Sequence, residues 1–370
     1  VDSGNIYVAG SSNATWGTPV HSYTGLYDSL VFKITADPPE EAAGWAVTPI
    51  SDSTNGGRAP VLSDTHVAWT RWVDTNNEVF AYDGHSVTRL TNTSVTEQNL
   101  FASDKYIAWN WRDPSAGDDI FLYDGTAVSQ LTDTGSANYR PKIDGERMVW
   151  EVSGGIVLYD ILSDTANPLS GTDPWIYGNW VSLTLRESAL DYAYVYDIST
   201  QAYQKLNLGR STRVNDDYVT YLYYDGNNNQ VMLNKRATDV TSQLTESGTS
   251  QMTVSLDGNH MVWACDSGDS RTLNDYLLFH DIAAGTTKVI ATNVGMYDIA
   301  SIDGNLIVYS GYDGNDWEIF IYEIDSGVTK QLTNNDYSDK EPRVRGQRIV
   351  WTQTDDNEDV VVMLATTQSS

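Results

Sequence analysis

A short phrase, an aliphatic residue followed by a turn and then a strand ending in Trp, Tyr or Leu, recurs eight times along the chain at intervals of about 40 residues. It stands at 62–69, 102–109, 143–150, 176–183, 214–221, 256–263, 302–309 and 344–351, and four copies are nearly interchangeable: IDGERMVW, LDGNHMVW, IDGNLIVY and VRGQRIVW. After the phrase come a polar hairpin and a further strand, as at 79–83, 120–124, 156–160, 193–198, 276–282 and 318–324. A turn then leads into a fourth strand, VTRLT, VSQLT, TSQLT or TKQLT, closing at Leu90, Leu131, Leu244 and Leu332. Short β-branched and aromatic runs between Asp-Gly, Asn-Gly and Gly-Asn turns, with no helical period, predict an all-β chain of four-stranded antiparallel units. One such unit cannot bury both faces of its sheet, so neighbours must stack in a ring, a β-propeller, with the second-strand Trp and Tyr filling the space between blades.

The ends of the chain set the blade number. Seven complete units run from 59 to 333; 342–366 supplies three strands and lacks its fourth, while WAVTPIS at 45–51 has the fourth-strand pattern and no partners nearby. Joining the two predicts an eight-bladed propeller over residues 45–370, closed by N- and C-terminal segments sharing one sheet; a ring of seven is the alternative. Residues 1–44 read as a separate segment.

The repeat resembles the TolB-like propeller repeats, in which a Leu-Thr strand leads to a Pro-containing strand and an Asp-Gly turn; the best copies are KQLTNNDYSDKEPRVRGQRIVW (330–351) and SQLTDTGSANYRPKIDGERMVW (129–150). The usual Ser-Pro-Asp-Gly turn is reduced here to Asp-Gly or variants, and the resemblance covers the propeller repeats, not the α/β domain that can precede them in the family. GNIYVAGSSNATWGTP followed by DSLVFKI resembles a single unit of another propeller repeat, SBBP, found in large exported proteins. Its strands, 5–10 and 29–34, are expected either to pack on the closing blade or to be the remnant of a preceding domain.

Fifty Asp and Glu against 22 Lys and Arg give a net charge of −28, a surface that repels phosphate backbones and anionic lipid headgroups and so argues against nucleic-acid or membrane partners. No run approaches a membrane span. Cys265 is the only cysteine, which excludes an internal disulfide and Cys-based metal frameworks and reads as a buried, inert thiol. The chain opens at Val1 without Met, and the expectation is the mature form of an exported, extracellular or cell-surface protein.

Two groups of residues stand out as candidate sites. The hairpins between second and third strands are acidic: Asp74, Asn76 and Glu78; Asp113, Asp118 and Asp119; Asp225, Asn227 and Asn229; Asp313, Asn315, Asp316 and Glu318; Asp355, Asn357 and Asp359. Alternating Asp and Asn oxygens on a tight turn suit Ca²⁺, with the last two loops (Asp313, Asn315, Asp316; Asp355, Asn357, Asp359) the best placed, although the same residues are what hairpin turns demand. The second group lies on the crossings from each fourth strand to the next innermost strand, which ring one channel mouth: Arg58, Gln98, Tyr139, Arg140, Trp175, Tyr177, Arg210, Arg213, Met252, Tyr297, Lys340 and Glu341. Arg58, Tyr139, Arg140, Trp175, Tyr177, Arg213, Tyr297 and Lys340 are the candidate ligand contacts, because arginine forks beside exposed aromatics suit carboxylated or sulfated sugars and peptide carboxylates. Pairing of these cations with acidic neighbours is the competing explanation.

No metalloprotease His pair, nucleophile elbow, phosphate loop or dinucleotide fingerprint occurs, and His66 and His260 share one repeat position. The reading favoured is a non-enzymatic binding or scaffold propeller that recognises a polysaccharide, peptide or protein at the channel mouth. A polysaccharide lyase or glycoside hydrolase acting at the same mouth, with Tyr139, Tyr177 or Tyr297 as base, is one alternative. A structural surface-layer or matrix subunit is the other.

Overall fold

A computed structural model describes residues 5–12, 28–35, 40–42, 44–52, 56–112, 117–133, 135–245, 248–266, 275–295 and 300–367, with side chains from residue 42 onward. The chain forms an eight-bladed β-propeller of four-stranded antiparallel blades, the first seven running from the channel outward in chain order through their four antiparallel strands. The innermost strands are Gly57–Leu62, Thr96–Ser103, Asn138–Asp144, Thr172–Tyr177, Arg210–Val214, Ser250–Asp257, Ser301–Asp303 and Ser338–Arg345. Trp45–Pro49 supplies the outermost strand of the last blade, pairing with Val360–Thr367 from Trp45 opposite Thr367 to Pro49 opposite Met363. Eight blades, and not the alternative seven, close the ring. The joint between last and first blades is apolar: Ile50, Val350, Val362 and Leu364 pack on Leu62, Val67, Trp69 and Phe80.

Asn5–Ser12 and Asp28–Thr35 pair with each other as a two-stranded sheet. The short strand Glu40–Glu41 adds in parallel to Val328–Gln331, so this part of the segment joins the seventh blade, not the closing one. Among the described residues no helix is long and apolar enough to cross a membrane.

The indoles explain why the phrase ends in Trp. Trp69, Trp109, Trp263 and Trp351 are fully buried between blades, and in three blades a residue twelve positions earlier takes the indole N–H. Asn138 Oδ1, Gln251 Oε1 and Asp339 Oδ1 accept from Trp150, Trp263 and Trp351 at 3.2, 2.9 and 2.8 Å. The first blade has Gly57 there, because a Cβ would lie 2.2 Å from Val362 Cγ2 and 2.7 Å from Trp69 Cδ1, and Trp69 Nε1 has no acceptor.

The Asp-Gly pair is a latch as well as a turn. Asp144 Oδ2 accepts from the Gly178 N–H at 2.6 Å, and Asp257 and Asp303 accept from Gly304 and Gly346 at 2.7 Å, so each clasps the next blade. Gly304 and Gly346 sit at φ +56° and +58°, where a Cβ is disfavoured. At the closure Arg345 pairs with Asp64, and Arg348 Nη2 donates to Asp64 O at 2.8 Å. Arg345 therefore serves the ring.

The Leu-Thr phrase also has a local cause. The Thr91, Thr132, Thr245 and Thr333 hydroxyls accept the N–H of Val79, Ile120, Val231 and Ile319 at 2.8 to 3.0 Å. Three of them donate in turn to a polar side chain opening the third strand: Glu78, Asp119 and Gln230. Each fourth strand is thereby tied to its neighbour beyond the ladder itself.

Candidate binding site in the central channel

Every innermost strand but the seventh, whose corresponding stretch lies outside the described residues, carries one left-handed residue: Ala59, Asn99, Arg140, Asp173, Ser211, Thr253 and Glu341, at φ between 43° and 57°. Each coincides with a register shift in which two residues of the inner strand face one of the second, a β-bulge. Pro60, Pro141, Pro174 and Pro342 follow the left-handed residue, where the bulge requires no ladder N–H. The bulge sets which side chains face the axis beyond it. The next residue along occupies the same rung in every blade, and in the second to fifth blades these are Phe101, Lys142, Trp175 and Arg213, opposite Ala108, Val149, Ser182 and Thr220.

Those four side chains form one continuous half-buried strip along the channel wall. Phe101 meets Trp175 edge-on with centroids 5.5 Å apart. Lys142 Nζ lies 4.6 Å from the Phe101 ring centre and 5.8 Å from that of Trp175, and the Arg213 guanidinium lies 4.3 Å from Trp175. Such contacts contribute about 0.5 to 2 kcal/mol each. Arg213 Nη1 donates to Thr212 O at 2.8 Å. Among the described residues neither Lys142 nor Arg213 has a carboxylate within ion-pair reach.

The electrostatics follow from that geometry. Burial, then the Arg213 charge, pushes the Lys142 ammonium down to about 8, with Asp173 and Glu151 opposing and Arg140 adding to the fall. Burial likewise lowers Arg213, partly offset by Asp173. Burial raises Glu151 against the pull of Arg140, whose Nη1 lies 3.7 Å from it. A cleft of about 520 Å³ lies beside the strip, lined by Gly154, Asp173, Arg186, Asp191 and Arg210, with Asp173 two residues before Trp175.

The structure brings together only part of the expected rim. Arg140, Tyr139, Trp175 and Arg213 lie in one sector, with Arg140 5.9 Å from the Tyr139 ring and its side chain 62% exposed. Tyr177 does not join them: it follows Trp175 by two rungs toward the opposite mouth, where burial and then Asp216, Asp144 and Asp257 raise its hydroxyl. The alternation of a strand puts both on one face, and the length between them separates them. Lys340 extends over the Trp317 ring at 5.3 Å, between the last two blades, and Arg58 is exposed on the first blade. Tyr297 and Asp113 lie outside the described residues.

Lys142 and Phe101 belong to this sector and were not among the rim residues singled out. The signal was present in the repeat: Lys142, Trp175 and Arg343 each follow the inner-strand Pro.

The acidic hairpins divide in two. Asp225 and Asp355 act as turn acceptors, each taking two backbone N–H groups of its own loop on one oxygen, from Asn227 and Asn228 and from Asn357 and Asp359. In the seventh blade Asp313 takes the same two turn N–H groups, from Asn315 and Asp316, and in addition Asp313, Asp316 and Glu318 place one carboxylate oxygen each within 4.8 Å of the others. Asn315 contributes its N–H to Asp313 and its side-chain amide to Asp316.

No protein-family model and no curated protein matches the chain. Solved structures do. An oligogalacturonate lyase from Vibrio parahaemolyticus is 12% identical, covers 82% of this chain and 98% of its own, and superposes with a TM-score of 0.53. The propeller domain of the Trilobed protease from Pyrococcus furiosus, whose topology is an open velcro, is 13% identical over 75% of this chain and 98% of its own, with a TM-score of 0.55. TolB from Acinetobacter baumannii is 17% identical over 74% and 80%, with a TM-score of 0.43. At these identities the likeness is one of fold. The protein is thus an eight-bladed β-propeller, structurally similar to TolB and to the propellers of enzymes with unrelated chemistries, and its function is argued from its own side chains.

Proposed function

We propose that the protein is a non-enzymatic binding propeller of an exported or cell-surface protein, and that its channel strip takes up a polysaccharide, peptide or protein ligand through carboxylates. One observation carries the reading: in a chain of net charge −28, Lys142 and Arg213 flank Trp175 on the channel wall without an ion pair among the described residues. Cations held beside an aromatic face, in a field that is otherwise negative, favour a ligand that brings its own negative charge and an apolar ring face. An acidic oligosaccharide has both, its carboxylates for the cations and its C–H face for Trp175 and Phe101.

The test is binding of oligogalacturonate, the sugar named for one structural neighbour, beside acidic peptides and neutral glycans. Arg213→Ala is expected to weaken acidic-oligosaccharide binding 10- to 100-fold, the loss of one charge-assisted contact of about 1.5–3 kcal/mol. Retention that is unchanged in Arg213→Ala and Arg140→Ala overturns the reading; selective capture of acidic peptides reassigns the ligand class.

Affinity also reports on Lys142. Arg213, Arg140, Asp173 and Glu151 are the charged side chains around it; Lys142 titrates as pH rises through about 8, and binding is expected to weaken there. Over that window fold stability moves the other way. The folded ammonium titrates below its ordinary 10.5, the unfolded chain holds more protons between about 8 and 10.5, and stability rises with pH. Isothermal titration across pH 7–9, with Lys142→Met flattening the profile, checks this.

A second reading, elimination on the same acidic polysaccharide, rests on Tyr139 beneath Arg140 as base. New absorbance of an unsaturated product from uronate polymers would select it.

A further inference from the structure

The first and seventh blades hold the same hairpin with different charges. In the first, Glu78 is fully buried and satisfied: Asn76 Nδ2 and the Thr93 N–H donate to Oε1 at 2.9 Å, Thr91 donates to Oε2, and Arg89 Nη2 lies 3.2 Å away. In the seventh, Glu318 takes the place of Glu78, is 0% exposed, and accepts the equivalent N–H, from Asn335, at 2.7 Å. Thr333 keeps the place of Thr91, and two of the other donors are replaced. The residue opposite Phe320 is Gln331 where the residue opposite Phe80 is Arg89, and Asp316 stands where Asn76 donated. The exchange removes one positive charge and adds one negative charge around the same buried carboxylate. Glu318 Oε2, Asp316 Oδ1 and Gln331 Nε2 are all buried without a hydrogen-bond partner.

A buried carboxylate without a countercharge is strongly disfavoured. Here three carboxylates converge, Asp313, Asp316 and Glu318, and a fourth, Asp339, lies behind them, fully buried and held by Trp351, Gln353 and Asn335. Among the described residues none of the four has an ion pair. We infer that this hairpin is a divalent-cation site, with Asp313, Asp316 and Glu318 as carboxylate ligands and the cation doing in the seventh blade what Arg89 does in the first. The donor set is all oxygen, which selects a hard ion, and the exposed Asp313 at the solvent end leaves room for the waters that Ca²⁺ accepts more readily than a closed cage would. The site ties the hairpin to the start of the third strand, beside the closing blade, and is independent of the channel ligand.

The experiment uses the full chain and Tb³⁺, a luminescent stand-in for Ca²⁺ that neighbouring Trp317 can sensitise. Saturable luminescence displaced by Ca²⁺ is expected, together with a melting-temperature rise of roughly 3 °C in millimolar Ca²⁺ over chelator. Glu318→Gln should weaken Tb³⁺ binding at least tenfold, while Asp355→Asn, in the next hairpin, should leave it unchanged. Gln331→Arg, which installs the first blade's solution, should raise the melting temperature in chelator and abolish the response to Ca²⁺. Equal Tb³⁺ affinity in Glu318→Gln and Asp355→Asn would reduce the effect to an ion cloud on an acidic surface. A Ca²⁺ response preserved in Gln331→Arg would overturn the site in a variant that has gained a countercharge and lost no ligand.

Discussion

Removing residues 1–52 is expected to cost the ring at least about 5 kcal/mol and to leave a chain that associates, whereas removing residues 1–37 leaves the closing strand in place. The longer deletion takes away Trp45–Pro49 with its ladder on Val360–Thr367, buried Ile50 at the joint, and the Ser51 hydroxyl that accepts from the Val362 N–H at 2.8 Å. It also bares Val360–Thr367 as an edge whose sequence, VVVMLATT, is apolar and uncharged. The native outer edges are guarded differently: Val87–Arg89 and Val128–Gln130 are short and polar, so the bared strand would be the one long apolar edge among the described blades. Urea unfolding and light scattering on both deletions check the expectation; equal midpoints would show that the N-terminal strand contributes nothing.

Trp351→Ala is expected to cost about 5 kcal/mol, and the informative comparison is with Phe substitutions. Trp351 and Trp69 occupy the same repeat position, are both fully buried, and differ in that Trp351 donates to Asp339 while Trp69 has no acceptor. Loss of the indole volume is common to both sites. Trp351→Phe additionally strips one donor from a buried carboxylate, so it should cost about 2 kcal/mol more than Trp69→Phe in denaturant midpoints converted at constant slope. Equal costs would mean that the twelve-residue pairing of acceptor and indole is incidental.

The ring was legible in the sequence because its signal is repeated. IDGERMVW and its copies gave the inner turn and second strand, Leu-Thr gave the fourth, and the unpaired WAVTPIS pointed to the closure. What the copies did were less legible. The Asp of Asp-Gly reads as a turn residue, and only the stacking of blades shows that its carboxylate holds the glycine N–H of the next one. The channel strip was half legible: Arg140, Trp175 and Arg213 were singled out as rim residues, but sequence position does not say which side of a bulge faces the axis. Lys142 was therefore passed over and Tyr177 grouped with a sector it does not join, since a left-handed residue at Arg140 or Asp173 leaves no mark beyond the proline after it. The seventh hairpin was identified by its Asp and Asn content. Its distinction from the eighth rests on Glu318 and Gln331, whose meaning appears only beside Glu78 and Arg89.

The strip lies on one wall because the ring is complete, and closure is most directly tested by a disulfide across its last pairing. Val47 and Ala365 face each other in the closing sheet, some three hundred residues apart in the chain, while the native Cys265 is buried in the sixth blade. Val47→Cys with Ala365→Cys, oxidised under mild conditions, should give a monomer that runs faster on a non-reducing gel and carries the intramolecular bond in its peptide map, because only facing residues bring two Cβ atoms within reach. Thiols that stay free, or that link only between molecules, would contradict the eight-bladed closure.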